Sequence, residues 1–200
     1  MARFHPLHSY RDRRSFDETP EPRGGRLSPR SGEPRFVIQK HAATTLHYDF
    51  RLEVDGVLKS WAVPKGPSTD PRVKRLAQPT EDHPLEYAGF EGIIPRGHYG
   101  AGSVIVWDAG PYRNLRAEEE GDGADMARSL REGKVAVWLE GRKLRGGYAL
   151  IRMKGRRGWL LIKMDDAEAD ARRNPVNTEP ASVLTGRTNS DLAAEAEADG

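Results

Sequence analysis

The sequence runs to 200 residues, 36% hydrophobic and 31% charged, with 21 glycines, 14 prolines and no cysteine. That is room for one domain rich in turns and short strands. The missing thiols exclude disulfide scaffolds, thiol catalysis and cysteine-ligated zinc or iron–sulfur centres, and they suit a reducing cytoplasm. No apolar run approaches bilayer length, and MARFHPLHSYRDRR has no apolar stretch behind its charges, so neither a membrane span nor a secretory signal is expected. The net charge of +2 hides an asymmetry: residues 165–200 hold nine acidic and three basic side chains, against 21 acidic and 29 basic in residues 1–164. A basic body suits a polyanionic partner, although a solvated Arg-rich surface fits the charge equally well.

Residues 1–35, rich in Arg, Pro, Gly and Ser, read as an irregular basic N-terminal arm in which His5 and His8 are spectators. From Phe36 the text changes to short β-branched and aromatic segments: 36–39, 45–54, 57–63, 103–108, 134–141, 148–153 and 159–164. Gly and Pro punctuate them. One helix is expected at ADMARSLREG, with Asp122 or Gly123 near its start, Met126 and Leu130 on one face and Gly133 as its stop. The reading is mainly β: a small closed antiparallel β-barrel with one or two short helices over residues 36–164. Residues 165–200 read as an acidic flexible tail, with a frayed helix at SDLAAEAEADG capped by Ser190 or Asp191.

The stretch from His41 to Asp55 carries the chemistry. In a strand, alternate side chains share a face. His47, Asp49, Arg51 and Glu53 then line one face, while Tyr48, Phe50, Leu52 and Val54 line the other and belong in a core. The polar row therefore projects from the outer wall of the barrel. Asp55-Gly56 predicts a type I′ hairpin that pairs Val54 with Val57, Phe50 with Trp61 and Tyr48 with Val63. Small Ser60 and Ala62 then stand opposite Arg51 and Asp49, which leaves that surface open. The same register sets Lys59 beside apolar Leu52, a mismatch that a place at the barrel end would relieve.

His47 and Asp49, with His41 reaching back from the neighbouring segment, make a first shell of two imidazoles and one carboxylate. Such a set fits Mn²⁺, Fe²⁺ or Zn²⁺ better than Ca²⁺ and leaves positions for water and substrate. Arg51 suits a bidentate grip on a phosphate. The same triad also serves non-haem iron oxygenases. Among nearby polar groups, Lys65 ends the hairpin and Arg75 lies in the basic run VKRLAQ. His83 reads either as a loop histidine beside Pro84 or as a general acid or phosphate donor. Gly97 to Gly102 is a tight connection and not a P-loop, since no Gly-Lys-Ser/Thr follows. The four tryptophans alternate within apolar strands and read as core.

The text FVIQKHAATTLHYDFRLEVDGVLKSWAVPKGPS (36–68), RLAQPTEDHPLEYAGFEGIIP (75–95) and YGAGSVIVWD (99–108) resembles the 3′-phosphoesterase domain of bacterial DNA ligase D and its free-standing homologues. The likeness spans roughly residues 10–165. It implies a barrel of about eight strands with the active site in a groove on its outer wall. It implies Mn²⁺-dependent trimming of DNA 3′ ends and primer-templates, removing a terminal ribonucleoside and then the 3′-phosphate, to leave a 3′-hydroxyl for double-strand break repair by end joining. By position, His41, His47 and Asp49 match metal ligands. Arg51, His83 and Tyr87 match groups that bind the scissile phosphate or assist the transition state. Gln39, Lys65, Arg75 and Glu81 match supporting positions, and Arg14 and Glu21 match residues tied to the ribonucleoside-removing step. Two positions depart from the family pattern. Ser15 stands where an Asp is usual, and Arg96-Gly97-His98 replaces Glu-Gly-Glu, which makes that edge more cationic. The implied partners are DNA 3′ ends, including 3′-ribonucleotide ends, and an end-joining ligase or polymerase; the implied place is the cytoplasm, at the nucleoid. A non-catalytic nucleic-acid-binding accessory is the third reading, separated from the first by the 41–51 constellation.

Overall fold

The computed structural model describes residues 6–25, 32–120 and 125–198. Its strands are β1 (Arg35–Ala42), β2 (Leu46–Val54), β3 (Val57–Val63), β4 (Lys74–Pro79), β5 (His83–Pro84), β6 (Gly92–Ile94), β7 (Gly102–Asn114), β8 (Lys134–Glu140), β9 (Arg145–Arg152) and β10 (Trp159–Lys163). Eight of them close a ring in the order β1-β2-β3-β4-β10-β9-β8-β7, with β7 returning to pair with β1. Every pairing is antiparallel, so closure leaves no barrel edge unpaired. The short β5 and β6 attach outside the ring, to β3 and β7. Among the described residues the helices are α1 (His8–Asp12), α2 (Leu115–Glu120), α3 (Met126–Glu132), α4 (Pro175–Thr178) and α5 (Asn189–Ala198). None is long and apolar enough to cross a membrane.

Alternation in the strands sorts the apolar residues into two clusters. Phe36, Ile38, Tyr48, Phe50, Leu52, Val54, Trp61, Val63 and Trp107 fill the lumen with the inward residues of β8 to β10. Val37, Leu58, Val104 and Val106 face outward, where Tyr10, Tyr87, Phe90 and Ile94 cover them. The second cluster is what fixes the N-terminal segment and residues 83–94 against the outer wall. The β2–β3 hairpin has the expected register, Phe50 opposite Trp61 and Asp49 opposite Ala62. Its turn has positive φ at both Asp55 (50°) and Gly56 (80°). Lys59 escapes its apolar neighbour by reaching Asp82 at 2.7 Å.

Three features differ from the sequence reading. Strand β4 was not expected: in KRLAQP only Ala77 is fully buried, so the segment has no alternation to read. Strand β7 runs on through Gly110-Pro111 to Asn114, because β1 pairs with its first part and β8 with its last. Residues 165–198 are docked where a flexible tail was expected. The indole of Trp107 donates to Glu179 O (2.7 Å), Thr69 Oγ1 donates to Asp170 O (2.8 Å), and Asn189 Nδ2 donates to Ser103 O (2.9 Å). Leu192 of α5 is buried. The acceptors are mostly backbone carbonyls, which composition cannot reveal. Helix α3 ends at Gly133 (φ 74°) as expected, but its cap is Asp125, whose carboxylate accepts from Arg128 N at 2.6 Å; the expected cap positions 122 and 123 lie outside the described residues. In α5 the role expected of Ser190 or Asp191 is shared by Thr188 and Asp191, the Thr188 N–H donating to Asp191 Oδ2 at 2.7 Å.

Candidate functional site

Strands β1 and β2 set Gln39 opposite Asp49 and His41 opposite His47, with Arg51 next along β2. All five side chains leave the outer wall, as alternation requires with Tyr48 and Phe50 in the lumen. His41, His47 and Asp49 each bring one ligand atom within 4.8 Å of the others. Two backbone carbonyls fix the rings. His41 Nε2 donates to Gly100 O (2.7 Å) and His47 Nδ1 donates to Thr45 O (2.9 Å). The remaining nitrogens, His41 Nδ1 and His47 Nε2, then face Asp49 Oδ2 at 3.6 and 3.7 Å. Metal-binding histidines are oriented this way, with the distal N–H tied to a carbonyl. Burial works against charge on His47, but Asp49 and the Thr45 carbonyl outweigh it and raise its pKa. Burial likewise resists ionisation of Asp49, but Arg51 and the two rings hold its carboxyl well below the usual range. A negative oxygen between two ring nitrogens calls for a proton or a cation, and a borderline divalent metal fits this mixed N/O donor set.

Arg51 is the hub beside this cluster. Its Nε donates to Gln39 Oε1 (2.7 Å), its Nη1 to Ser60 Oγ (2.8 Å), and its Nη2 pairs with Asp49 Oδ2 (3.2 Å). Gln39, fully buried, turns its amide to the carbonyls of Tyr87 (2.9 Å) and Phe90 (3.0 Å), so it ties the 3-10 turn Leu85–Gly89 to the barrel wall. His83 sits between two guanidiniums, its Nδ1 3.0 Å from Arg51 Nη1 and its Nε2 3.3 Å from Arg14 Nη2. Burial first, then Arg51 and Arg14, hold its pKa well below the usual range, so the ring is neutral. Arg14 is itself held by Glu21 Oε1 (2.8 Å) and Glu81 Oε1 (3.0 Å). Tyr87 donates its hydroxyl to the same Glu21 oxygen (3.0 Å), and burial keeps it protonated.

These groups surround a cavity of about 230 Å³ that is bordered by Arg14, His41, His47, Asp49, Arg51, Glu81, His83 and Tyr87. Gln39 and Glu21 stand directly behind it. Lys65 and Arg75 do not border it: Lys65 is exposed beyond β3, and Arg75 shares the inward parity of Ala77 on β4. Sequence reasoning missed Tyr99, Thr80 and Gly100, which also border the cavity. Tyr99 is 47% exposed and receives a hydrogen bond from Arg13 Nη1 at 3.0 Å. The only signal was the turn 97–102, whose positive φ at Gly97, Gly100 and Gly102 lets the chain press against His41. Ser15 is exposed, and its carbonyl closes the turn to Glu18 and Thr19. A larger cavity of about 530 Å³, between Leu7, Phe36, Pro84 and Leu184, gathers no comparable set of ionisable groups.

Residues 39–152 match the family described as the DNA Ligase D 3′-phosphoesterase domain. The chain is 50% identical over 189 residues to the multifunctional non-homologous end joining protein LigD of Pseudomonas aeruginosa, covering 92% of this chain and 22% of that protein. It is 46% identical over 162 residues to LigD of Mycolicibacterium smegmatis (80% and 21%) and 49% identical over 159 residues to LigD of Mycobacterium tuberculosis (79% and 20%). The chain thus spans about a fifth of the length of these relatives. With half its sequence shared across nearly its whole length and the family region covering β2 to β9, the chain belongs to the DNA ligase D 3′-phosphoesterase domain family.

Proposed function

We propose that the protein is a Mn²⁺-dependent phosphoesterase that heals DNA 3′ ends, removing a 3′-phosphate and 3′-terminal ribonucleosides to leave a 3′-hydroxyl for end joining. The observation that supports this most is the placement of two carbonyl-oriented imidazoles and Asp49 beside a pair of guanidiniums. His41, His47 and Asp49 would hold the metal, which supplies Lewis-acid polarisation of a phosphoryl oxygen. Two guanidiniums at the same cavity suit an anionic, phosphate-bearing substrate.

The protein's own residues do the rest. Arg51 and Arg14 grip the phosphate, and their own hydrogen bonds hold both forks in place before substrate arrives. A phosphate between them offsets the charge that keeps His83 neutral, so Nε2 takes up a proton as substrate binds. In each step water adds oxygen to phosphorus, and the leaving oxygen, the 5′-oxygen of a terminal ribonucleoside or the 3′-oxygen beneath a terminal phosphate, departs with the His83 proton, while the proton released by water restores the ring. Tyr87 stays protonated and steadies Glu21. Of the two carboxylates that hold Arg14, Glu81 borders the cavity and takes the role of reading the 2′-hydroxyl of a terminal ribonucleotide, while Glu21 is buried behind Arg14. The LigD relatives are named for non-homologous end joining, so a ligase or polymerase acting on the healed end, in the cytoplasm at the nucleoid, is the partner this reading implies.

The test is phosphate release from a 3′-phosphate primer-template and nucleoside release from a 3′-ribonucleotide primer-template, with and without Mn²⁺. Asp49→Ala should abolish both at every Mn²⁺ concentration. Turnover by that variant at the wild-type rate would overturn the metal assignment, and turnover by wild type in the presence of a chelator would overturn metal dependence.

A further inference from the structure

The metal cluster, Ala62 and Gln78 form one row across the outer wall. Asp49 is opposite Ala62, and Ala62 is opposite Gln78. The next position along that row is Gly158, where a Cβ would stand 3.3 Å from the Gln78 side chain. Gly158 closes the β9–β10 turn Met153–Gly158 by accepting a hydrogen bond from Met153 N (3.1 Å). That turn is Met-Lys-Gly-Arg-Arg-Gly, and Lys154, Arg156 and Arg157 are all exposed. None of the three makes an ion pair or a side-chain hydrogen bond with a described residue. Most other arginines near the cavity are paired: Arg13 and Arg14 with Glu81, Arg51 with Asp49. Three unpaired cations on one tight turn repel each other, and neighbouring anions would relieve that.

We propose that the Lys154–Arg157 turn is a second contact for the nucleic-acid backbone, gripping phosphates inward of the 3′ end held in the cavity. The proposal rests on the phosphoesterase reading and adds the path of the strand. Three strand spacings of ~4.8 Å separate Asp49 from the turn, about 14 Å along the wall. At 3.4 Å of rise per nucleotide that is about four nucleotides of duplex. The wall between them is low at Ala62, which carries a single methyl, and polar at Gln78, so a strand leaving the cavity past Ala62 and Thr80 crosses Gln78 to reach the turn. The contact is to phosphates and carries no sequence preference.

The test is binding of a 3′-phosphate primer-template to the triple variant Lys154→Ala/Arg156→Ala/Arg157→Ala, followed by fluorescence anisotropy between about 50 and 200 mM salt. The three side chains hold no part of the fold, so the variant should melt as wild type does. The slope of log affinity against log salt should fall by up to about 2.7, at 0.9 per lost phosphate contact. Affinity at the lower salt should fall at least tenfold. Phosphate release from a 3′-phosphorylated dinucleotide, too short to reach the turn, should keep its kcat and KM. An unchanged salt slope on the long substrate, or an equal loss on the dinucleotide, would overturn the proposal. Failure of the underlying reading would look different: wild type would release no phosphate from either substrate, while the salt slope would still report on the turn.

Discussion

Gln39 is the point where wall, guanidinium and covering turn meet, and replacing it with Leu separates them. The side chain is fully buried, accepts from Arg51 Nε at 2.7 Å, and donates to the carbonyls of Tyr87 and Phe90 at 2.9 and 3.0 Å. Gln39→Leu keeps the size but strands one charged donor and two carbonyls in a dry site. Each stranded partner costs about 1–3 kcal/mol, and burying the Leu side chain returns about 2 kcal/mol. The expected net loss is about 3 kcal/mol. Gln39→Glu keeps the Arg51 contact but points a carboxylate oxygen at two carbonyls, so it should lose as much. Urea unfolding gives the free energy directly, with the midpoint falling at an unchanged m-value. In turnover, the loosened Arg51 should raise KM for a 3′-phosphate end. A Gln39→Leu protein within about 0.5 kcal/mol of wild type would refute the reasoning, because so small a change is typical of surface sites.

Other outcomes follow from other parts of the molecule. Adding Mn²⁺ at a hundred times its Kd should stabilise wild type by about 2.7 kcal/mol, visible as a rise in Tm that a chelator reverses; His47→Ala and Asp49→Ala should show little of it, and an equal rise in all three would place the ion elsewhere. Tyr10, Tyr48, Tyr112 and Tyr148 are buried, and burial raises each pKa, that of Tyr48 to about 12. Since the unfolded value is lower, near 10, their contribution is intact below pH 10 and is lost above it. Four such groups lose roughly 5 kcal/mol per pH unit between about pH 10 and 12, so the urea midpoint should collapse between pH 9 and 11; a flat profile would contradict the burial of these phenols. Asp108 accepts from the backbone N–H groups of Arg142 (2.9 Å), Lys143 (3.1 Å) and Leu144 (2.8 Å), so Asp108→Asn sets an amide donor against an N–H and should cost about 2–3 kcal/mol; no loss of Tm would show that the carboxylate is not what holds this turn.

The parts legible from sequence were those that a period of two encodes. Alternation in residues 47–54 placed the polar row outside the barrel, and Asp55-Gly56 fixed its partner strand to the residue. What escaped was structure encoded by backbone groups or by tertiary context. Strand β4 exposes Lys74, Leu76 and Pro79 and is held by pairing with β3 and β10. Residues 165–198 dock chiefly through carbonyls that receive the Trp107 indole and the Lys143 ammonium. At the site, the cluster of His41, His47 and Asp49 was legible because three candidate ligands fall within nine residues. The carbonyl of Gly100 that orients His41, and Tyr99 beside it, were not, since a glycine-rich turn announces only that the chain bends. Arg75, a supporting position by the resemblance, does not border the cavity, because it shares the inward parity of Ala77.

Charge in the cavity has a consequence for the order of binding. Arg14 is matched by Glu21 and Glu81, Arg51 by Asp49, and His83 is neutral. The nearest guanidiniums are therefore already engaged, and their net attraction for a phosphate dianion is small. A divalent cation at His41, His47 and Asp49 would take over the Asp49 charge and free the Arg51 fork for an incoming anion. Cation and phosphate should then bind with mutual enhancement, each raising the affinity for the other by the same factor, as linkage demands. On the proposed reading these carboxylates have a use: Glu21 and Glu81 would hold Arg14 in position before the cation binds, and Asp49 would reserve Arg51 until it does.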